Sequence, residues 1–212
     1  MNIKPPDHTL DHRRTVQLQR LERLTDVVYG IVLWRAFMLF PRPETTSLTL
    51  ETFKVFWAAE RGNMVVILLT VVVAILYWVQ SNLLFGNMKA TDGRHTAMSI
   101  LQLFFLLLFL YAMRLGTELG NSMGTRAFES ITAALMGIMS SMAWAYAMKQ
   151  PHLLQPEVDD VYAQKLRDRT WAEPTTALIT LPFAFFSPLL WELGWFIGYP
   201  IMRIIVRGIK RQ

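Results

Sequence analysis

The sequence predicts an all-α integral membrane protein of six transmembrane helices, and three observations point there. Of its 212 residues, 53% are hydrophobic and only 17% charged, against about 25% charged in an ordinary soluble domain. The uncharged residues come in blocks: Gly62 to Met88, Thr96 to Met113 and Ile131 to Met148 contain no Asp, Glu, Lys or Arg. A bilayer core about 30 Å thick needs roughly 20 such residues at 1.5 Å each. A core helix of a soluble protein would carry a polar face every three or four residues, and these blocks show none.

Taken in order, the spans fall at about 21–40, 63–87, 94–115, 127–148, 173–189 and 191–208. The first contains Arg35. The last two are short and punctuated by Pro182, Pro188 and Pro200, so they read as two short spans or as one re-entrant hairpin, a broken backbone that survives only against protein or water. Residues 1–20 form a cytoplasmic N-terminal segment, 21–208 the transmembrane domain and 209–212 a cytoplasmic tail. With the N-terminus inside, 15 of the 21 Lys and Arg residues fall on the inner side and 5 on the outer, with Arg35 within a span. That asymmetry is the positive-inside pattern and supports both the span count and cytoplasmic ends in a cell membrane. The polar N-terminus lacks the apolar run and cleavage site of a signal peptide.

Two loops are long. In the outer loop, 41–62, Phe53, Phe56 and Trp57 share one helical face, the pattern of a short interfacial helix, with a solvated loop as the alternative. The inner loop, 149–172, holds Glu157, Asp159, Asp160, Lys165, Arg167, Asp168 and Arg169 and reads as a mixed-charge linker. Most of the tryptophans lie near span ends, as in an aromatic belt.

Composition also excludes functions. There is no cysteine, hence no disulfide, thiolate nucleophile or cysteine metal site. The net charge of +5 sits at span ends and fits topology rather than nucleic acid. His8, His12 and His152 lack ligand spacing, and His95 reads as a cap or a headgroup contact, so neither a metal nor a cofactor is expected. No paired-carboxylate or nucleophile–base constellation supports an enzyme.

Span one opens with Arg20-Leu21-Glu22-Arg23-Leu24-Thr25-Asp26. A carboxylate and a hydroxyl at the mouth of a span mark a buried polar network or an interfacial cap paired to Arg23. Near the inner end of span two, Gln80, Ser81 and Asn82 are placed to bond Arg20 or Asp26 from a neighbouring helix, or to lie at the interface.

Arg20-x-x-x-Leu24-Thr25-Asp26 resembles the Arg-x-x-x-Phe-Ser-Asp signature that opens the pore helix of the lysosomal and prokaryotic potassium channel family (the transmembrane protein 175 family). Tyr77-Trp78-Val79-Gln80-Ser81, the Leu84-Phe85 ending, Asp92, Gln102 and Leu103 to Leu107 extend the resemblance over about residues 20–115. Ser81 stands where the family has His, and Gln102 where it has Asn. The resemblance implies a cation channel without a Thr-Val-Gly-Tyr-Gly filter, built as a homotetramer of six-span subunits in the bacterial type, with potassium as the permeant ion. It implies a signature network of Arg20, Thr25, Asp26, Trp78, Ser81 and Gln102, and a central pore lined by helix 1. It further implies a constriction five positions after the signature Asp, at Ile31.

Helical geometry places Val27, Ile31, Trp34, Arg35 and Met38 on one side of helix 1, within about 60° of Ile31. Four apolar side chains in a ring can gate by dewetting, although apolar stripes are also ordinary helix packing. Trp34-Arg35 departs from the family, which has Thr or small and aliphatic residues there. Four arginines would repel potassium, unless Arg35 snorkels outward or pairs with Glu44 or Glu60. The expected function is therefore a potassium-permeable leak-type cation channel. The alternative is a non-conducting or anion-passing protein of the same fold, its pore altered by Trp34 and Arg35.

Overall fold

The computed structural model describes residues 7–43, 47 and 49–208, and the side chains of these apart from 7–11, 203 and 206–208. Seven α-helices follow in order: α1 (Asp7–Met38), α2 (Leu50–Phe85), α3 (Gly93–Glu118), α4 (Met123–Met148), α5 (Asp160–Thr170), α6 (Ala172–Thr180) and α7 (Pro188–Gly208). Two 3₁₀ turns, Pro151–Leu153 and Pro182–Phe185, lie between them. Among these, α2, α3 and α4 are long and apolar enough to cross a membrane by length and composition.

The helix starts are written in capping residues. Thr49 and Thr52 bond each other reciprocally at the start of α2, Thr52 N to Thr49 Oγ1 at 3.2 Å and Thr49 N to Thr52 Oγ1 at 2.9 Å. Asp92, Ser122 and Asp159 each accept a backbone N–H at the starts of α3, α4 and α5. Each cap satisfies one of the orphan donors that a helix N-terminus leaves. The α3–α4 hairpin turns on Gly120 (φ 75°) and Asn121 (φ 52°), the two residue types that enter the left-handed region most readily.

α4 is the centre of the subunit and packs against α3, α6, α2, α5 and α7. Its approach is tightest at Gly137, where a Cβ would lie 2.6 Å from the Tyr77 hydroxyl and 2.7 Å from Pro174 Cδ. The main core joins Ile67 and Tyr77 of α2, Phe109 and Met113 of α3, Met136 of α4 and Trp191 of α7. A second core, where α2 and α4 end, gathers Leu18 and Leu21 of α1, Leu84 and Phe85 of α2, and Trp144, Leu153, Ala163 and Leu166.

Several sequence expectations change. No separate interfacial helix forms in the outer loop. Phe53 and Trp57 do share a face, stacked at 6.4 Å, but they belong to the start of α2, which runs 36 residues without a break. At 1.5 Å per residue that is about 54 Å, well beyond the bilayer core. Gly62, with open space around it, is a permissive residue in a strong helical context and does not stop the helix.

The inner linker is also more ordered than its charges imply. Ala163, Leu166 and Thr170 are buried on one side of α5 while Lys165 and Arg167 face out, so a charged sequence still carries a three-and-four apolar stripe. Trp144 Nε1 donates to Ala163 O at 3.0 Å and Ser141 Oγ to Thr170 O at 3.0 Å, fixing α5 under α4. In the segment read as span five, α6 has nine residues, about 14 Å, before Leu181 and Pro182 lead into a 3₁₀ turn. α7 begins at Pro188 and continues through Pro200. α1 starts roughly four turns before the predicted span, extending the pore-helix candidate into the N-terminal segment. Residues 1–6, Glu44 and the predicted tail 209–212 lie outside the described residues.

Three tryptophans assigned to span ends are core instead. Trp144, Trp191 and Trp195 are buried, and Trp191 Nε1 donates to Ser130 Oγ at 2.8 Å. An indole carries a large apolar body with one donor, so a single hydroxyl partner lets it enter a core.

Candidate pore helix and its polar supports

α1 has two unlike faces. Leu18, Leu21, Thr25, Tyr29, Val32 and Ala36 are buried, at intervals of three and four that follow the helical period. On the other side Leu24, Val27, Ile31, Trp34 and Met38 are exposed, Ile31 by 51% and Val27 by 57%. Their spacing of three, four, three and four makes one continuous apolar stripe along the helix. Arg35 shares the exposed side, with its guanidinium carbon 5.9 Å from the centre of the Trp34 ring. It makes no ion pair with Glu60, whose Oε2 instead accepts from Asn63 Nδ2 at 2.9 Å.

The signature residues fall into two groups rather than one network. Trp78 Nε1 donates to Asp26 Oδ1 at 2.9 Å, tying α2 to α1. One turn further along α1, Gln102 Nε2 of α3 donates to Ser81 Oγ of α2 at 3.0 Å and to the Tyr29 hydroxyl at 3.3 Å. These bonds hold α1, α2 and α3 in register at three buried positions. Two of the six sequence candidates stand apart. Arg20 is exposed and makes no hydrogen bond or ion pair among the described residues. Thr25 is buried, and its Oγ1 has no hydrogen-bond partner there.

Gln80 does not reach α1. Helical phase turns it and Tyr77 toward α4 and α6, about 100° from each neighbouring side chain. The Gln80 amide, with its nitrogen toward Glu173, lies 3.0 and 3.1 Å from the two carboxylate oxygens, and its other end is 3.4 Å from Ser140 Oγ. Tyr199 of α7 donates to Glu173 Oε1 at 3.2 Å. Nearer the start of α4, Thr70 Oγ1 donates to Glu129 Oε1 at 3.1 Å. Both carboxyl groups are buried, as is Arg126, which donates to Ala184 O at 3.2 and 2.9 Å and to Asn121 O. Sequence reading missed this polar interior, because one carboxylate barely lowers the hydropathy of an apolar window. The available signal was position: Glu129 and Glu173, each at the mouth of a predicted span, are rare and expensive placements.

At the start of α3, Asp92 ties its own loop to α3 and α4. His95 N donates to its Oδ1 at 2.9 Å and the Tyr146 hydroxyl to its Oδ2 at 2.6 Å. Burial pushes this carboxyl up, but those bonds, with help from Arg94 N–H, outweigh it and hold the group below its ordinary value of 3.8. His95 itself is buried rather than at the headgroups, with Nδ1 2.8 Å from Thr91 Oγ1 and its ring edge-on to Phe85. Among the described residues, no group of His, Asp or Glu side chains is arranged to hold a metal ion.

Fold and site together define a class: an all-α, multi-pass membrane protein whose first helix is tied by polar bonds on one face and open and apolar on the other. Known structures of that class share the whole layout. A lysosomal potassium-selective channel TMEM175 homolog from Chamaesiphon minutus matches with a TM-score of 0.70 at 15% identity, over 91% of this chain and 100% of that one. The potassium channel MtTMEM175, solved as a variant in complex with a Nanobody-MBP fusion protein, matches at 0.62 and 18% identity, over 91% and 94%. No protein-family model and no curated protein sequence matches. The resemblance to the transmembrane protein 175 family thus holds for the fold of nearly the entire chain, beyond residues 20–115.

Proposed function

We propose that this chain is the subunit of a potassium-permeable, leak-type cation channel in the cell membrane. Four copies surround a pore lined by α1, with both ends of the chain cytoplasmic. The observation that carries the reading is the open seam of α1: Leu24, Val27, Ile31, Trp34 and Met38 stay exposed in a fold shared with potassium channels, while the opposite face is buried and hydrogen-bonded. In this reading α1 to α4, the α6 segment with its 3₁₀ turn, and α7 make the six spans.

Ile31 is the proposed constriction. Four isoleucines converging on an axis make a narrow apolar neck that water leaves readily, so an ion crosses only when the neck is wetted or widened. Val27, Trp34 and Met38 line the path on either side. Gln102, Ser81 and the Asp26–Trp78 pair set the angle of α1 and therefore the width of the neck. No resident cofactor is needed, and potassium is simply the permeant ion.

Arg35 supports a second reading, because four positive charges beside the path would favour anions or close it to cations. Purified protein in liposomes, assayed for potassium, sodium and chloride flux, separates the two. Cation flux with potassium preferred is the expected result. Chloride flux alone would assign an anion pathway, and no flux of any ion would make the assembly a non-conducting membrane protein of channel fold.

A further inference from the structure

Away from α1, a cavity of about 230 Å³ opens between α2, α6 and α7. Its walls include Val72, Leu76, Trp195 and Phe196, and its polar groups are Tyr77, Tyr199 and the buried carboxylate of Glu173. For scale, a dry apolar cavity of about 150 Å³ is large enough to take benzene. Trp195 is 5% exposed, and its Nε1–H has no hydrogen-bond partner among the described residues. A buried donor left unbonded costs free energy that a ligand acceptor would recover. Val72 and Phe196 are partly exposed at the rim, so the cavity opens on the surface of the subunit.

We propose that this cavity binds a hydrophobic amine that carries an oxygen acceptor about one helical turn from its nitrogen. The ammonium has only donors to offer, and the Glu173 carboxylate, held by Tyr199 and Gln80, has only acceptors. Aromatic side chains around it favour a cation further. Trp195 lies one turn from Tyr199 on α7, about 6 Å along the axis, and its free N–H selects the oxygen. A phospholipid headgroup does not fit. Among the described residues no Lys or Arg side chain lines the cavity, and Tyr77 lies two turns from the end of α2 at Phe85, about 12 Å into the helix.

The test uses the full chain in lipid nanodiscs and 3-(4-fluorobenzyloxy)propan-1-amine, read by fluorine NMR against empty nanodiscs. Saturable binding above the partition baseline is expected. The matching alcohol, which lacks the ammonium, should bind about tenfold more weakly or worse, as should the amine to Glu173→Gln. Trp195→Phe should weaken binding about fivefold, and Val72→Trp, which fills the cavity from its rim, should abolish it. If Glu173→Gln does not fold, Val72→Trp and the alcohol carry the test. Partition alone in the wild type overturns the proposal, including the case in which a second copy of the chain covers the cavity. Equal binding of amine and alcohol, or undiminished binding to Val72→Trp, overturns it too. None of these readouts depends on ion conduction.

Discussion

Asp26 is exposed on α1, yet its Oδ1 accepts from Trp78 Nε1 at 2.9 Å. The pair therefore joins two helices without being sealed from its surroundings. Asp26→Ala should lower stability by about 1 kcal/mol, the usual worth of such a bond. Trp78→Phe should cost less in the Asp26→Ala background than alone, and strictly additive losses in thermal unfolding would mean the two side chains do not cooperate. Asp92 makes a pH prediction. Its carboxyl titrates below its unfolded value, so it stabilises the fold fully above that value and loses the contribution as pH falls through it. Wild type should thus exceed Asp92→Asn in melting temperature at neutral pH, and the gap should shrink as pH drops below about 4; a gap that widens on acidification would refute the assignment. At this scale Asp26 stood out as a carboxylate at the mouth of a span, whereas Trp78, Ser81 and Gln102 were named as network members by the family resemblance and not by spacing. Glu129 and Glu173 were hidden because their partners, Thr70, Gln80 and Tyr199, lie far away in the chain.

The helices show which signals travel through sequence and which need neighbours. Long uncharged runs made α2, α3 and α4 easy to find, since hydropathy over 20 residues is a strong pattern. The outer half of α2 and the whole of α5 were not legible, because helix continuation through Gly62 and burial of Ala163 and Leu166 depend on tertiary context. Gly137 carries an equally hidden constraint. It is the point where α4 touches Tyr77 and Pro174, and a methyl group there would sit inside van der Waals contact. Gly137→Ala should destabilise by about 1–3 kcal/mol through overpacking. Gly124→Ala, with open space around it, should be neutral or stabilising by up to about 1 kcal/mol, because alanine costs less backbone entropy in a helix. Thermal or denaturant unfolding of the two variants side by side checks this, and equal effects would mean that α4 is packed loosely at its centre.

At the scale of the whole molecule, one chain leaves its first helix half finished. The apolar stripe from Leu24 to Met38 is 42–57% exposed within the subunit, and in the proposed assembly self-association covers it. The assembly should therefore be a tetramer by native mass measurement in mild detergent, and a stable monomer would leave the stripe to lipid. The all-α class and the three long apolar helices were readable from the chain because the bilayer imposes a simple pattern. The direction of the Arg35 side chain was not, because a long flexible side chain on an exposed helix face has no sequence pattern to fix where its guanidinium sits, here 5.9 Å from the Trp34 ring. Arg35→Ala should raise cation flux, most strongly at low salt where screening is weakest, if the guanidinium stays beside the path. The central claim is that Ile31 closes the neck, and the most direct measurement is potassium flux through reconstituted Ile31→Asn compared with wild type. A polar ring holds water, so the account predicts a clear rise in flux with the assembly intact; unchanged potassium flux in an intact assembly would contradict it and remove α1 from the conduction path.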